Sequence, residues 1–263
     1  MEQSKNIGFV TLAGAGPGDA ELITLKLQKR LMEADVIITD RLVNPDIISA
    51  HSRKDALILF AGKQGYNDNS YSQEEVTSLV IEHALQGKRV LRLKGGDVAF
   101  FSNVLDELNA LTEKNISFEI IPGITAASGA SAYSGIPLTA RAHSQGVQIL
   151  TYNPNSYYNP DSWKQLANTS DTLVFYMAAK NICDLAELLL RYSKKPATKL
   201  AVIEQATTIH QQVLITTLID CAKDLAGKEF SSPSLVIIGD VVKLHEQFNW
   251  FNSTEAGTVF QNL

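Results

Sequence analysis

The sequence is poor in the residues that build disulfides and metal centres. It contains two cysteines and five histidines among 263 residues, and none of these stands next to another at the spacing of a metal-binding motif. We therefore predict that Cys183 and Cys221 are reduced, structural residues and that the protein holds no metal.

Long apolar runs and an excess of positive charge are also missing. No stretch approaches the roughly 18 uninterrupted apolar residues that cross a bilayer, and the first ten residues lack the basic and apolar regions of a signal peptide. The net charge of −5 argues against general nucleic-acid binding, which needs concentrated positive charge. We expect a cytoplasmic protein that acts on a small molecule and binds neither nucleic acid nor membrane.

Apolar segments typical of buried strands alternate with helical patterns in the first half, which predicts a mostly parallel α/β sheet. These strands are predicted at 7–14, 35–40, 56–61 and 88–93, with helices near 21–33 and 73–86. After residues 118–125 a run of small residues could start a closely packed helix. The second half has strand patterns at 147–152, 172–177, 199–204, 210–218 and 233–242, with helices near 181–192 and 220–226. Several of these strands follow each other closely enough to pair antiparallel, so a mixed sheet is predicted there.

The pattern changes at residues 121–125. We predict a boundary at this point, with an N-terminal α/β lobe over 1–122, a C-terminal mixed-sheet lobe over 123–263 and Pro122-Gly123 as the hinge. Ligands usually bind in clefts between lobes and at the carboxyl ends of parallel strands. We therefore expect the site in a cleft between the two lobes.

Glycines and charged residues follow several of the predicted strands. "GAGPGD" follows the first, Asp40 the second, Lys63 the third and "KGGD" the fourth. The glycines of "GAGPGD" miss the spacing of a dinucleotide-binding loop, and Pro17 lacks an amide donor, so a structural turn is an open alternative. Taken alone, Asp40 would be interpreted as a capping residue and Lys63 as an exposed lysine. However, several consecutive strands end in glycine with an aspartate or a lysine, which is more than solvated loops require and indicates a functional site.

Seven segments in order strengthen the functional reading: "VTLAGAGPGDAELITLK", "DRLVNPDII", "AGKQG", "QGKRVLRLKGGD", "IIPGITAASGASAYSGIPLT", "LVFYM" and "PSLVIIGDVV". With them the chain resembles the S-adenosylmethionine-dependent tetrapyrrole methylases from about residue 7 to 251. Within that family it is most similar to uroporphyrinogen-III C-methyltransferase, including the methyltransferase half of sirohaem synthase. Since the resemblance takes up nearly the whole chain, we expect no fused dehydrogenase-ferrochelatase module.

The resemblance implies a two-lobed homodimer with S-adenosylmethionine between the lobes. The implied reaction methylates uroporphyrinogen III at C-2 and C-7 to give precorrin-2, for sirohaem or cobalamin biosynthesis. It also implies Asp40 as proton acceptor and Lys63 as proton donor. The positions implied as cofactor contacts are Pro17, Gly95, Gly96, Asp97, Phe100, Thr125, Ala126, Met177 and Ala206.

Substrate contacts are implied for two arginines and for two positions where the chain departs from its family. Arg41 adjoins Asp40 and favours its ionised form, while Arg141 matches an arginine that binds the substrate and suits carboxylates bidentately. Asn103 stands where the family has another arginine, and Asp106 where it has a glutamate.

Further departures lie at Ala140, Ala142 and Ala206, the last of which would crowd the cofactor if its backbone needed a positive φ. Two alternatives therefore stay open. One is a methylase of the same fold that acts on another tetrapyrrole or corrinoid precursor. The other is a catalytically weak protein that binds S-adenosylmethionine or a tetrapyrrole.

Overall fold

The computed structural model describes residues 7–61, 72–155, 159–253 and 257–260. Two compact units divide the chain. The first runs to Ala126 and includes the chain again from Thr258, and the second spans Ala127–Gly257. The boundary expected at 122–123 lies four residues before this division, and no sequence pattern indicated that the chain returns to the first unit.

The first unit is built on a five-stranded sheet in which all strands are parallel. Its strands are β1 (Phe9–Gly14), β2 (Val36–Thr39), β3 (Leu57–Phe60), β4 (Arg89–Lys94) and β5 (Phe118–Ile121). They lie in the order β3-β2-β4-β1-β5. Central strands of parallel sheets are covered on both faces and need apolar side chains on both, and β2 is buried throughout. The parallel sheet predicted for the first half is confirmed.

The helices described over this sheet are α1 (Leu25–Glu33), α2 (Pro45–His51), α3 (Gln73–Leu85) and α4 (Val104–Glu113). Leu27 and Leu31 of α1 share one buried cluster with residues of α2. Val80 of α3 and Leu111 of α4 share another on different strand side chains, so the sheet carries a helical layer on each face. The sequence patterns indicated α1 and α3 but not α2 or α4.

The second unit contains a mixed five-stranded sheet in the order β6-β7-β10-β8-β9, as predicted. The strands are β6 (Val147–Thr151), β7 (Thr172–Tyr176), β8 (Lys199–Glu204), β9 (Gln212–Thr217) and β10 (Ser234–Ile238). β6 and β7 are parallel, whereas β10 pairs antiparallel with β7 and β8, and β8 with β9. β7 and β8 therefore run in the same direction and end at the same edge.

Helices pack on both faces of this sheet too. The described helices here are α5 (Ala126–Ser134), α6 (Pro160–Asn168), α7 (Ile182–Arg191), α8 (Cys221–Asp224) and α9 (His245–Phe248). α6, α7 and α8 contribute to the larger buried cluster, and α5 contributes Ala127 and Ala130 to the cluster on the other face. In the described part of the chain, no helix combines the length and apolar character that crossing a membrane requires.

The two cysteines, 38 positions apart in sequence, meet in this core. Cys183 of α7 and Cys221 of α8 are free thiols whose Sγ atoms lie 3.9 Å apart. Burial, followed by the neighbouring Cys183, raises the pKa of the Cys221 thiol to about 12. Cys221 thus stays protonated at neutral pH and packs as a small apolar residue.

Candidate active site

The predicted strand-end residues of the first unit gather at one edge of its sheet. The neighbouring strands β2, β4, β1 and β5 are parallel, so their carboxyl ends lie side by side. Asp40 follows β2, Gly95 follows β4, Ala15 follows β1 and Pro122 follows β5. Lys63 lies outside the described residues.

The loops after β1 and β4 are joined through their glycines. The amide of Gly16 donates to the carbonyl of Gly96 at 3.0 Å, and the amide of Gly96 donates back to the carbonyl of Gly16 at 2.8 Å. Both residues have positive φ, +80° and +67°, a region that glycine adopts without strain. A Cβ atom on Gly14 would lie 2.5 Å from the carbonyl oxygen of Gly96. Close contact between the two loops thus requires glycine at these positions.

Asp97 ties the loop after β4 to the loop after β5. It is buried, and its Oδ1 accepts a hydrogen bond from the amide of Ala99 while its Oδ2 accepts one from the amide of Gly123, each at 2.8 Å. Charge-assisted bonds of this kind are among the stronger ones in proteins. Asp97 therefore holds the loop after β4, which contains the predicted cofactor contacts Gly95 and Gly96, against the loop after β5.

Most of the predicted cofactor positions of the first unit lie around this junction. Pro17 is buried directly after Gly16. A Cβ atom on Gly96 would lie 3.7 Å from the amide nitrogen of Ala126, so Gly96 and Ala126 face each other across a narrow gap. Thr125, half-buried, precedes Ala126. The sequence spreads these positions over 110 residues, and the fold collects them.

Asp40 begins the turn that leads from β2 into α2. Its Oδ1 accepts a hydrogen bond from the amide of Leu42 at 3.0 Å, so one carboxylate oxygen serves as a local cap. Asp40 and Arg41 are both half-buried. A Cβ atom on Gly95 would lie 2.8 Å from the carbonyl oxygen of Leu42, which places the turn of Asp40 against the predicted cofactor loop.

Three charged side chains form a buried cluster beneath this edge that the sequence did not indicate. Glu107 of α4 pairs with Arg92 at 3.0 Å (Nε to Oε1) and with Lys94 at 2.9 Å (Nζ to Oε2). All three are almost fully buried. Burial and then Arg92 lower the pKa of Lys94, while Glu107 and Asp40 act in the opposite direction. Asp40 is therefore close enough to Lys94 to act on it electrostatically.

The segment between Asp97 and α4, where the chain departs from its family, exposes two aromatic rings. Phe100 and Phe101 are 39% and 45% exposed, and their ring centroids lie 6.5 Å apart in an edge-to-face arrangement. Asn103 precedes α4 in the left-handed conformation (φ 52°, ψ 35°), and its side chain makes no capping bond. Asp106 is exposed in the first turn of α4.

The predicted residues of the second unit follow its strands or lie in a turn. Met177 follows β7 with φ 58° and is 64% exposed. Ala206 follows β8 and is buried, and it leaves the sheet at the same edge as Met177. Positive φ occurs at Gln205 and Thr207 on either side of Ala206, and not at Ala206, so its methyl group requires no strained backbone. Arg141 is exposed in a turn closed by Ala140 and Ser144.

Comparison with known proteins gives a consistent family. The family model described as tetrapyrrole (corrin/porphyrin) methylases matches residues 10–222. A siroheme synthase 2 of Yersinia enterocolitica is 44% identical over 250 residues, which are 95% of this chain and 52% of the relative. A siroheme synthase of Edwardsiella ictaluri is 45% identical over 249 residues, 95% of this chain and 53% of the relative. The chain spans about half the length of these curated relatives.

Solved structures give the same result along their whole length. A uroporphyrin III C-methyl transferase from Thermus thermophilus is 32% identical with a TM-score of 0.75, over 90% of this chain and 100% of that one. Another structure of the Thermus enzyme, complexed with S-adenosyl homocysteine, is 30% identical with the same TM-score, over 90% and 94%. With a family model matching most of its length and a fold shared with these enzymes, the chain belongs to the tetrapyrrole (corrin/porphyrin) methylases.

Proposed function

We propose that this protein transfers methyl groups from S-adenosylmethionine to C-2 and C-7 of uroporphyrinogen III and forms precorrin-2, in sirohaem or cobalamin biosynthesis. The observation that carries the proposal is the glycine junction of Gly16 and Gly96, fixed by Asp97 at the strand ends. Similarity to a uroporphyrin-III C-methyl transferase that was solved with S-adenosyl homocysteine supports it.

The junction is a suitable cradle for the cofactor. Between Gly96 and the amide of Ala126 there is a gap that a side chain on residue 96 would fill, and small residues on both sides let a ligand approach the backbone. We assign the cofactor to this cradle, with Pro17, Gly95, Asp97, Phe100 and Thr125 as further contacts. Met177 and Ala206 are proposed as contacts because the family resemblance implies them. S-adenosylmethionine supplies the methyl group from its sulfonium centre.

The residues of the chain have two further tasks, to remove a proton and to hold an anionic macrocycle. Each methylation forms a carbon–carbon bond and releases one proton from the macrocycle, and Asp40 is the proposed acceptor because it is half-buried at the strand end beside Gly95. Lys63 is the proposed donor. Arg41 and Arg141 are proposed to bind substrate carboxylates, which the guanidinium group holds with two parallel hydrogen bonds.

The first experiment measures binding and turnover with the same preparation. Purified protein, uroporphyrinogen III and S-adenosylmethionine are expected to yield the precorrin-2 chromophore and S-adenosylhomocysteine. Calorimetry with S-adenosylhomocysteine measures cofactor binding separately. Intact cofactor binding without turnover of uroporphyrinogen III would rule out this substrate.

The start of α4 favours a second candidate, a methylase of the same fold that acts on a later corrinoid precursor. Asn103 stands where the family has an arginine, and its exposed side chain is a neutral amide that offers no cation to a substrate carboxylate. Phe100 and Phe101 add exposed apolar surface nearby. Turnover of precorrin-2 but not of uroporphyrinogen III would support this candidate, and turnover of neither would support a binding protein.

We also propose that the protein is a cytoplasmic homodimer, as its family resemblance implies. Light scattering coupled to size-exclusion chromatography is expected to give twice the 28.7 kDa chain mass, and a mass of one chain would contradict the dimer.

A further inference from the structure

The buried cluster of Arg92, Lys94 and Glu107 adjoins residues 95–102, the segment that contains several of the proposed cofactor contacts. Lys94 is the last residue of β4, and the segment starts with Gly95. The side chain of Lys94 is 4% exposed and that of Glu107 is 0% exposed. The free-energy cost of removing two charges from water is often larger than the gain from their attraction. Proteins with apolar residues in place of a buried ion pair are therefore often as stable as the original. Stability alone is therefore a weak reason for charges at this position.

Lys94 makes a second contact that apolar residues would not make. Its Nζ donates a hydrogen bond to the carbonyl oxygen of Ser102 at 2.8 Å. Ser102 stands at the other end of the segment, and its hydroxyl group bonds back to the carbonyl of Val98. The ammonium group of Lys94 thus connects the end of β4 to two places: the far end of the segment, at Ser102, and α4, through Glu107.

With this contact the segment is fixed at three points. Gly96 is bound to Gly16, Asp97 is bound to Gly123, and Ser102 is bound to Lys94. The first two fix the glycine junction, and the third fixes the stretch that carries Phe100. Without Lys94, the stretch after Asp97 keeps the Val98–Ser102 bond, the bonds of Ala99 and Phe100 to Asp97 and the buried side chain of Val98. It loses the hydrogen bond that connects Ser102 to the end of β4.

We propose that Lys94 is a positioning residue that holds residues 95–102 in the conformation that binds S-adenosylmethionine. The inference rests on the proposed function, because it concerns the same cofactor. Lys94 does not touch the reacting atoms in this account and acts through the backbone of Ser102. Its loss is expected to weaken cofactor binding because the segment must then be ordered when the ligand binds.

The test compares Lys94→Met with Lys194→Met. Lys194 is a matched control because it is also buried and also donates to backbone carbonyls, those of Leu166, Ala167 and Thr169, but belongs to no proposed contact. Thermal unfolding and calorimetry with S-adenosylhomocysteine are measured for both variants and the wild type. Lys94→Met leaves Glu107 paired with Arg92, so folding is expected.

Both variants are expected to lower the melting temperature. The dissociation constant of S-adenosylhomocysteine is expected to rise about tenfold in Lys94→Met and to stay within about twofold of the wild type in Lys194→Met. The Michaelis constant for S-adenosylmethionine is expected to follow the dissociation constant. If Lys94→Met does not fold, Lys94→Gln replaces it, since its amide group is one bond shorter and cannot reach both partners.

Wild-type affinity in a folded Lys94 variant would overturn the inference, and so would an equal loss in Lys194→Met, because affinity would then only follow stability. Failure of the wild type to bind S-adenosylhomocysteine would instead overturn the proposed function. The two failures are therefore distinguishable.

Discussion

Two aspartates at the strand ends differ in how many of their carboxylate oxygens accept hydrogen bonds from the backbone. Asp97 is buried, and each of its oxygens accepts a backbone hydrogen bond. Asp40 is half-buried and has one oxygen bonded to the amide of Leu42. Asp40 therefore has more capacity to accept a proton from a substrate, and Asp97 has more to do with holding the loops.

Asp40→Asn is expected to lower turnover by about 100-fold or more, because it removes the proposed base while the shape of the side chain is kept. The affinity for S-adenosylhomocysteine is expected to stay within about twofold of the wild type. Initial rates and calorimetry measure the two effects. Equal losses in both would mean that Asp40 is structural.

Asp97→Asn is expected to destabilise the protein. An amide group accepts only through its oxygen, so one of the backbone amides now bonded to Asp97 loses its acceptor, and a hydrogen bond to a charged group contributes about 1.5–3 kcal/mol. Urea denaturation is expected to show a free energy of unfolding lower by about 2 kcal/mol. The exposed Asp106→Asn is the control and should change it by less than about 0.5 kcal/mol; similar values for both variants would contradict the role of Asp97.

At the scale of elements, charge joins α1 to the edge strand β5. Glu119 of β5 pairs with Arg30 and, at 2.7 Å, with Lys26, both on α1. The hydrogen bond from Arg30 is the main cause that lowers the pKa of Glu119 from 4.5 to about 2. The lowered pKa means that the ionised carboxylate stabilises the folded protein above pH 4.5, and that this contribution disappears as the pH falls from 4.5 towards 2.

Glu119→Gln is therefore expected to be less stable than the wild type at pH 7 and to approach it as the pH falls towards 2. Denaturation at a series of pH values measures this difference. Glu113→Gln, at an exposed position in the last turn of α4, is the control and should keep the pH dependence of the wild type. A constant gap between Glu119→Gln and the wild type from pH 7 to 2 would show that the ion pairs do not cause it.

The sequence predicted the elements whose pattern reflects burial. β2 and β10 are apolar runs because both faces of each sheet are covered. The glycine-rich ends of β1 and β4 were visible because the two loops contact each other too closely for side chains. α2 was not predicted because it has only seven residues. α4 was not predicted because Asn103, which precedes it, makes no side-chain capping bond, so the usual sequence signal for the start of a helix is missing there.

The buried cluster of Arg92, Lys94 and Glu107 was not predicted for a different reason. Arg92 and Lys94 alternate with leucines like the solvated face of a strand, and Glu107, 13 positions after Lys94, reads as an ordinary helix residue. Only the crossing of α4 over β4 brings these three side chains together. Sequence periodicity reports which face of an element is buried, and it does not report which charges share that face.

At the scale of the whole molecule, we propose that this chain methylates each uroporphyrinogen III twice. The most direct measurement counts S-adenosylhomocysteine against macrocycle consumed in a reaction run to completion with the purified protein. We predict two molecules of S-adenosylhomocysteine for each uroporphyrinogen III, with precorrin-2 as the product. Formation of no S-adenosylhomocysteine, by a preparation that binds it, would contradict the account.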